Sequence, residues 1–264
     1  MPYADLGDVK LHYQERGVGT PVLGVMGFAL DQRFWAGQIP AVTKNNRFIT
    51  FDNRGVGRST GDIVSTIDQM ADDAFRLLEY LEIDKAVVFG LSMGGAIAQR
   101  LVLDHPEIAV GLILGVTWAR PIEFMRRQDE LAKLLIQRGG VEALMEGSLV
   151  RMFSPEFFEM GREMVDRLTM AFMSDEEKMP SAEVLLAQVD ALGKHDTLAQ
   201  LPSISVPTLV LGGRMDQMVP YLASKEIAAT IPNAELATFE TGHACMIEEM
   251  EPFNKRIEDF LTRF

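Results

Sequence analysis

Cysteine, histidine and positive charge are scarce in this chain, and each scarcity excludes a class of protein. Cys245 is the single cysteine, so an intrachain disulfide is impossible, and the four scattered histidines add no metal-ligand spacing. The chain has 25 Lys and Arg against 38 Asp and Glu, and its net charge of −13 at pH 7 would repel nucleic-acid phosphates and anionic membranes. We therefore expect no metal, no nucleic-acid partner and no membrane partner.

Long apolar segments and nucleotide-binding motifs are also lacking. The longest uncharged apolar run, 108–119, is shorter than the roughly 18 residues that a membrane helix needs. No cationic start followed by an apolar stretch opens the chain, which argues against a secretory signal. No G-x-G-x-x-G or Walker sequence follows a predicted strand. These absences, together with the free thiol, predict a cytoplasmic protein without a cofactor.

The apolar sequence that is present suits one large α/β domain with an insertion. The chain has 264 residues, of which 47% are hydrophobic. Short β-branched runs alternate with helical patterns, as in parallel sheets with crossover helices. Strands are predicted at 9–15, 21–26, 47–51, 85–91, 109–116, 206–212 and 235–239. The first two are predicted to form a hairpin.

Helical periodicity predicts four helices around those strands and a purely helical segment between them. The four are 66–81, capped by Thr66, and 97–103, 221–230 and 247–264. We therefore predict an α/β core, 1–118 and 202–264, with a helical cap inserted at 119–201. The cap holds methionines 125, 145, 152, 160, 164, 170, 173 and 179, which would either form a pliable pocket wall or fill the core between small helices.

The sequence GLSMGG at 90–95 places Ser92 between a buried strand and a helix in the pattern G-x-S-x-G. A nucleophilic serine on a tight strand-to-helix turn needs glycines on both sides for the turn and for close packing. The alternative is a serine that only caps the helix, between packing glycines. The position directly after a buried strand favours the nucleophile.

A serine hydroxyl needs a base, and the base needs an acid to orient it. His243 follows the last predicted strand and Asp216 follows the strand before it, so both should lie at the carboxyl edge of the sheet. The order Ser92, Asp216, His243 is the one expected after such a turn. The other histidines are interpreted as structural or surface residues: His12, His105 and His195.

Attack on a carbonyl also requires main-chain N–H groups that bind the oxyanion. We predict these donors to be Met93, directly after the nucleophile, and Phe28, in the loop after an early strand. Gly27 and Trp118 are predicted to contact substrate. Trp35 is a second candidate for the pocket lining, although large aromatic side chains usually lie in the core.

These stretches together resemble the α/β-hydrolase fold superfamily, and among its members the small carboxylesterases and enol-lactonases with a helical cap. The matching stretches are 24–28, 51–59 with the sequence FDNRGVGRS, the turn at Ser92, the loop at Asp216 and the Gly242-His243 loop. The resemblance implies a mostly parallel twisted sheet with helices on both faces and a Ser92–His243–Asp216 triad.

The chain departs from the family pattern at Met26, where most members have a histidine before the glycine of the oxyanion loop. That histidine is outside the triad, so we expect hydrolysis to survive. Arg54 and Arg58 could bind a carboxylate, but in this family such arginines more often brace the turn. Arg120, at the root of the cap, has no predicted role.

The expected function is a serine hydrolase that cleaves a carboxylic ester or lactone of a small to medium apolar substrate through an acyl-enzyme. Two alternatives stay open. The same triad could perform perhydrolase or lyase chemistry, or the fold could be a ligand-binding module with negligible catalysis. A serine at position 92 argues against the members of the superfamily that use a carboxylate nucleophile.

Overall fold

A nine-stranded sheet is the centre of the computed structural model, which describes residues 2–160, 163, 165 and 179–264. Its spatial order is β1-β2-β4-β3-β6-β7-β8-β9, and β5 pairs with β2. The six strands from β4 to β9 in that order are parallel, whereas β1, β2 and β5 are antiparallel. The strands are β1 (Tyr3–Asp5), β2 (Val9–Arg16), β3 (Thr20–Val25), β4 (Asn46–Phe51), β5 (Thr60–Gly61), β6 (Ala86–Leu91), β7 (Ala109–Gly115), β8 (Thr208–Gly213) and β9 (Ala234–Phe239).

Helices cover both faces of this sheet, so the predicted fold class is confirmed. One face carries α2, α3 and α7, and the other carries α1 and α9. Thr66 caps α2 as predicted, because its Oγ1 accepts the N–H of Gln69 at 3.3 Å. The helices of the described chain are α1 (Ile39–Val42), α2 (Ile67–Tyr80), α3 (Met93–Asp104), α4 (Glu123–Met152), α5 (Pro155–Met160), α6 (Ala182–Lys194), α7 (Tyr221–Thr230), α8 (Cys245–Glu248) and α9 (Met250–Leu261).

The predicted hairpin between β2 and β3 is wrong, because β4 lies between these two strands. The connection between them, at Gly17 and Gly19, passes directly over the start of β4. Both glycines have positive φ, and a Cβ at either would overlap a carbonyl oxygen of the segment 45–46. β2 instead forms a hairpin with β1, a strand of three residues.

The segment between β7 and β8 contains helices and loops, and no strand among its described residues. It contains α4, interrupted at Gly140 with φ +73°, and the helices α5 and α6, of which α6 packs against α4. Methionines 164, 170 and 173 of the predicted cap lie outside the described residues. Among the described helices, none is long and apolar enough to span a bilayer. The boundaries of the cap at 119 and 201 stay a prediction.

Candidate active site

Ser92 lies in the turn between β6 and α3, in a backbone conformation that L-residues seldom adopt. Its φ is +54° and its ψ is −120°, which is strained for a residue with a Cβ. The glycines make the turn possible, because a Cβ at Gly94 would overlap the carbonyl oxygen of Val25 and a Cβ at Gly90 would overlap that of Gly94. A strained serine held by close packing is typical of a nucleophile rather than of a helix cap, and Ser92 makes no side-chain capping bond.

His243 and Asp216 meet at the carboxyl edge of the sheet, on the loops that follow β9 and β8. The Nδ1 of His243 lies 2.7 Å from the Oδ2 of Asp216. The other oxygen of that carboxylate, Oδ1, accepts the backbone N–H groups of Met218 and Val219, both at 2.8 Å. The Asp216 side chain is 1% exposed and that of His243 is 10% exposed. The carboxylate is therefore fixed on both sides.

Ser92 and His243 line one apolar cavity of about 800 Å³, a volume that includes its open mouth. Gly27 lies directly over the serine, because a Cβ built there would stand 3.7 Å from the hydroxyl oxygen of Ser92. Phe28 lines the same cavity, and so do Met145 and Met152 of α4, which is consistent with the pliable-wall interpretation of the methionines.

Met93 is the first residue of α3 and is fully buried. Its N–H is therefore one of the first four of the helix, which have no intrahelical carbonyl to donate to. The carbonyl of Ser92 itself accepts the N–H of Gly95 at 2.8 Å and the hydroxyl of Thr117 at 2.8 Å. These bonds hold the main chain on either side of the predicted oxyanion donor.

Trp118 lines a second branch of the cavity, which Ser92 and Phe28 also line. Its ring nitrogen Nε1 is buried and has no hydrogen-bond partner among the residues that the structure describes. Trp35, by contrast, is not a pocket residue. It is fully buried and packs edge-on against Phe48 and Phe89 in the core on one face of the sheet.

The other polar residues considered from sequence have structural partners. Arg54 is buried against Asp73, with Nε 2.8 Å from Oδ2, so the bracing interpretation of this arginine is confirmed. Arg120 is exposed and pairs with Glu226 at 2.7 Å. His195 is buried beside Trp118, and burial lowers the pKa of its imidazole to about 4.

Gln188, on α6, was not found by sequence reasoning and ties this helix to the predicted oxyanion loop. Its Oε1 accepts the N–H of Ala29 at 3.0 Å, and the side chain is 1% exposed. Ala29 directly follows Phe28 and has φ +62°, a conformation that costs free energy without such support. The available signal was a glutamine within an apolar stretch of the predicted helical cap, because a buried glutamine must find a hydrogen-bond partner.

Comparisons with known proteins agree with this fold. A family model described as alpha/beta hydrolase fold matches residues 20–250. A protein of Azorhizobium caulinodans named "Putative carbamate hydrolase RutD" is 31% identical over 98% of each chain, and one with the same name from Caulobacter vibrioides is 29% identical over 95% of each.

Two solved structures show the same architecture over nearly the whole length. The enol-lactonase from Burkholderia xenovorans LB400 superposes with a TM-score of 0.90 at 27% identity, and the alignment covers 99% of this chain and 100% of that one. A thermophilic esterase from Thermogutta terrifontis superposes with a TM-score of 0.87 at 29% identity, over 98% and 96% of the two chains. The chain therefore belongs to the α/β-hydrolase fold family.

Proposed function

We propose that this hydrolase cleaves a carboxylic ester or lactone through an acyl-enzyme formed on Ser92. One observation carries the proposal: a strained serine and a carboxylate-bound histidine line the same apolar cavity. That combination supplies a nucleophile, a base and a water-poor pocket for an acyl group. The enol-lactonase and esterase named among the similar structures support the same reaction class.

The hydrogen bond at His243 supports the following order of proton transfers. Because Asp216 accepts the hydrogen bond at Nδ1, the proton of the neutral imidazole is held there and Nε2 is left as the acceptor. Ser92 then attacks the carbonyl carbon while Nε2 takes its proton, and the N–H groups of Met93 and Phe28 bind the oxyanion. The imidazolium protonates the leaving alcohol, and a water molecule hydrolyses the acyl-enzyme by the same route.

Carbamate hydrolysis is a second candidate, favoured by the names of the two relatives from Azorhizobium caulinodans and Caulobacter vibrioides. A carbamate carbonyl can be attacked by the same serine, and the intermediate would be a carbamoyl-enzyme. Nitrogen donation makes the carbamate carbonyl less electrophilic than that of an ester. Carbamates therefore belong in the same substrate panel.

The proposal is tested by labelling and by product analysis. A fluorophosphonate probe should attach to Ser92, as identified by peptide mass spectrometry. Esters should give a free acid and an alcohol, and lactones a hydroxy acid. The panel contains p-nitrophenyl esters of increasing acyl length, five- and six-membered lactones and N-alkyl carbamates. A binding module would give no label and no turnover, and perhydrolase chemistry would give peracid when peroxide is added.

Replacing Gln188 with leucine should slow acyl transfer more than it weakens substrate binding. The substitution leaves the buried N–H of Ala29 without an acceptor, at a cost of about 1–3 kcal/mol, and releases the loop that carries Phe28. We expect kcat to fall by about tenfold, with a smaller change in KM. The matched variant Gln188→Glu keeps an oxygen acceptor and should recover most of kcat. Equal losses in both variants would contradict a positioning role for the hydrogen bond.

A further inference from the structure

The second branch of the cavity contains an arginine whose charge has no counterion in the described chain. Arg151, at the end of α4, lines this branch together with Ser92, Phe28 and Trp118. Its guanidinium is partly buried, and burial lowers its pKa from the usual value. An arginine nevertheless stays charged in a protein. Burying a cation without an anion is costly, so such a residue is seldom retained for stability alone.

Arg151 is held in position by two neutral acceptors. Its Nη1 donates to Oε1 of Gln128 at 2.6 Å, and its Nε donates to the carbonyl oxygen of Gly147 at 3.1 Å. Gln128 is in turn anchored, because its Nε2 donates to the carbonyl oxygen of Met218 at 3.0 Å. These bonds use Nε–H and one hydrogen of Nη1. The remaining three N–H groups have no acceptor among the described residues, and they include both hydrogens of Nη2.

Among the described residues one carboxylate lines this branch, that of Asp129, and it has other cations nearby. Lys133 and Arg126 are the cations that lower its pKa, whereas burial raises the pKa to about 6. Lys133 also pairs with Asp190. Arg151 makes no ion pair with Asp129 or with any other described carboxylate. The charge left without a partner is therefore the cation of Arg151, and the anion that fits it must come from outside the described chain.

We infer that Arg151 binds a carboxylate of the substrate, and that the preferred substrate is an ester or lactone with a second, ionised carboxyl group away from the bond that is cleaved. This inference rests on the proposed function. The planar guanidinium presents parallel N–H donors that match the two oxygens of a carboxylate. The apolar branch around Met145 and Phe153 would then hold the uncharged part of the substrate.

The test compares esters that differ only in the terminal group. p-Nitrophenyl valerate and the mono-p-nitrophenyl ester of glutaric acid have the same chain length, and one ends in a methyl group and the other in a carboxylate. A second pair, butyl acetate and 4-acetoxybutanoate, places the carboxylate on the leaving alcohol. For Arg151→Gln we expect kcat/KM to fall by about 10- to 100-fold on the anionic ester of at least one pair, and by less than about twofold on the neutral esters.

Two further variants separate charge, geometry and general damage to the helix. Arg151→Lys keeps the positive charge but cannot form a bidentate pair with a carboxylate. Its kcat/KM on the anionic esters should lie between those of wild type and Arg151→Gln. Arg127→Gln is the matched control, because Arg127 is on the same helix, is 69% exposed and pairs with Glu123 and Glu130. This control should leave kcat/KM unchanged on both the anionic and the neutral esters.

A binding measurement gives a readout that does not depend on turnover. Calorimetric titration of glutarate into the Ser92→Ala variant should show binding. The double variant Ser92→Ala/Arg151→Gln should show none. If the ratio of kcat/KM on the anionic ester to that on the neutral ester is the same in Arg151→Gln as in wild type, for both pairs, the role of Arg151 is overturned. The proposed ester hydrolysis would not be affected by that result. No turnover of any ester, neutral or anionic, by the wild type would instead overturn the proposed function, and glutarate binding would then decide on Arg151 alone.

Discussion

Ser92→Ala should reduce the hydrolysis of p-nitrophenyl esters by at least about 10⁴-fold, with the fold unchanged. The substitution removes the hydroxyl that we propose as the nucleophile, and the methyl group of alanine cannot attack a carbonyl. Met93 and Phe28 keep their N–H groups, so a small residual rate above that of water is expected from binding and oxyanion stabilisation. The rate is measured under single-turnover and steady-state conditions with the same ester.

Ser148→Ala is the matched control for that experiment. Ser148 lines the same cavity as Ser92, but its hydroxyl donates to the carbonyl oxygen of Leu144 at 2.8 Å within α4. Its loss should change kcat by no more than about twofold to threefold, since a hydrogen bond within a helix turn contributes little to catalysis. If Ser92→Ala kept more than a tenth of the wild-type rate, Ser92 would not be the nucleophile.

The parallel core of the sheet could be predicted from sequence because its strands are covered on both faces. β6 and β7 are continuous apolar runs, and such runs are typical of central parallel strands. β1 and β5 have three and two residues, too few for an alternating pattern to be recognised. The order of β3 and β4 could not be predicted, since it depends on the path of the chain over the sheet and not on local pattern.

The loops that carry His243 and Asp216 could be assigned to one edge because the carboxyl ends of parallel strands meet there. No such rule applies to the segment between β7 and β8. Whether α6 presents Gln188 to the loop at Ala29, or α4 presents Arg151 to the cavity, depends on how those helices pack on the core. In the sequence, Arg151 is one of several cations in a polar helix, and such cations are usually solvated.

Asp216→Asn should lower kcat by about 10⁴-fold, although asparagine is nearly the same size as aspartate. The reason lies in the two backbone donors on this side chain. Oδ1 accepts the N–H groups of Met218 and Val219, so in the variant the amide oxygen must occupy that position. The amide NH2 is then forced towards Nδ1 of His243, where the carboxylate oxygen Oδ2 now lies at 2.7 Å.

An NH2 group at that position reverses the direction of the hydrogen bond and therefore changes the tautomer of the imidazole. Nδ1 becomes the acceptor, the proton of the neutral ring moves to Nε2, and Nε2 can no longer take the proton of Ser92. Because both backbone hydrogen bonds survive, we expect the free energy of unfolding to change by less than about 1 kcal/mol. Asp216→Ala removes those two acceptor bonds as well, so it should lose stability in addition to activity.

Comparing the two variants distinguishes a chemical from a structural role of Asp216. If the carboxylate only held its loop in place, Asp216→Asn would retain most of kcat, because asparagine preserves both loop contacts, and only Asp216→Ala would be inactive. If the carboxylate sets the tautomer of His243, both variants are inactive and only Asp216→Ala is destabilised. Urea unfolding and steady-state kinetics on the same preparations separate these outcomes. The proton positions on His243 can be read independently by ¹⁵N NMR of the imidazole in wild type and Asp216→Asn.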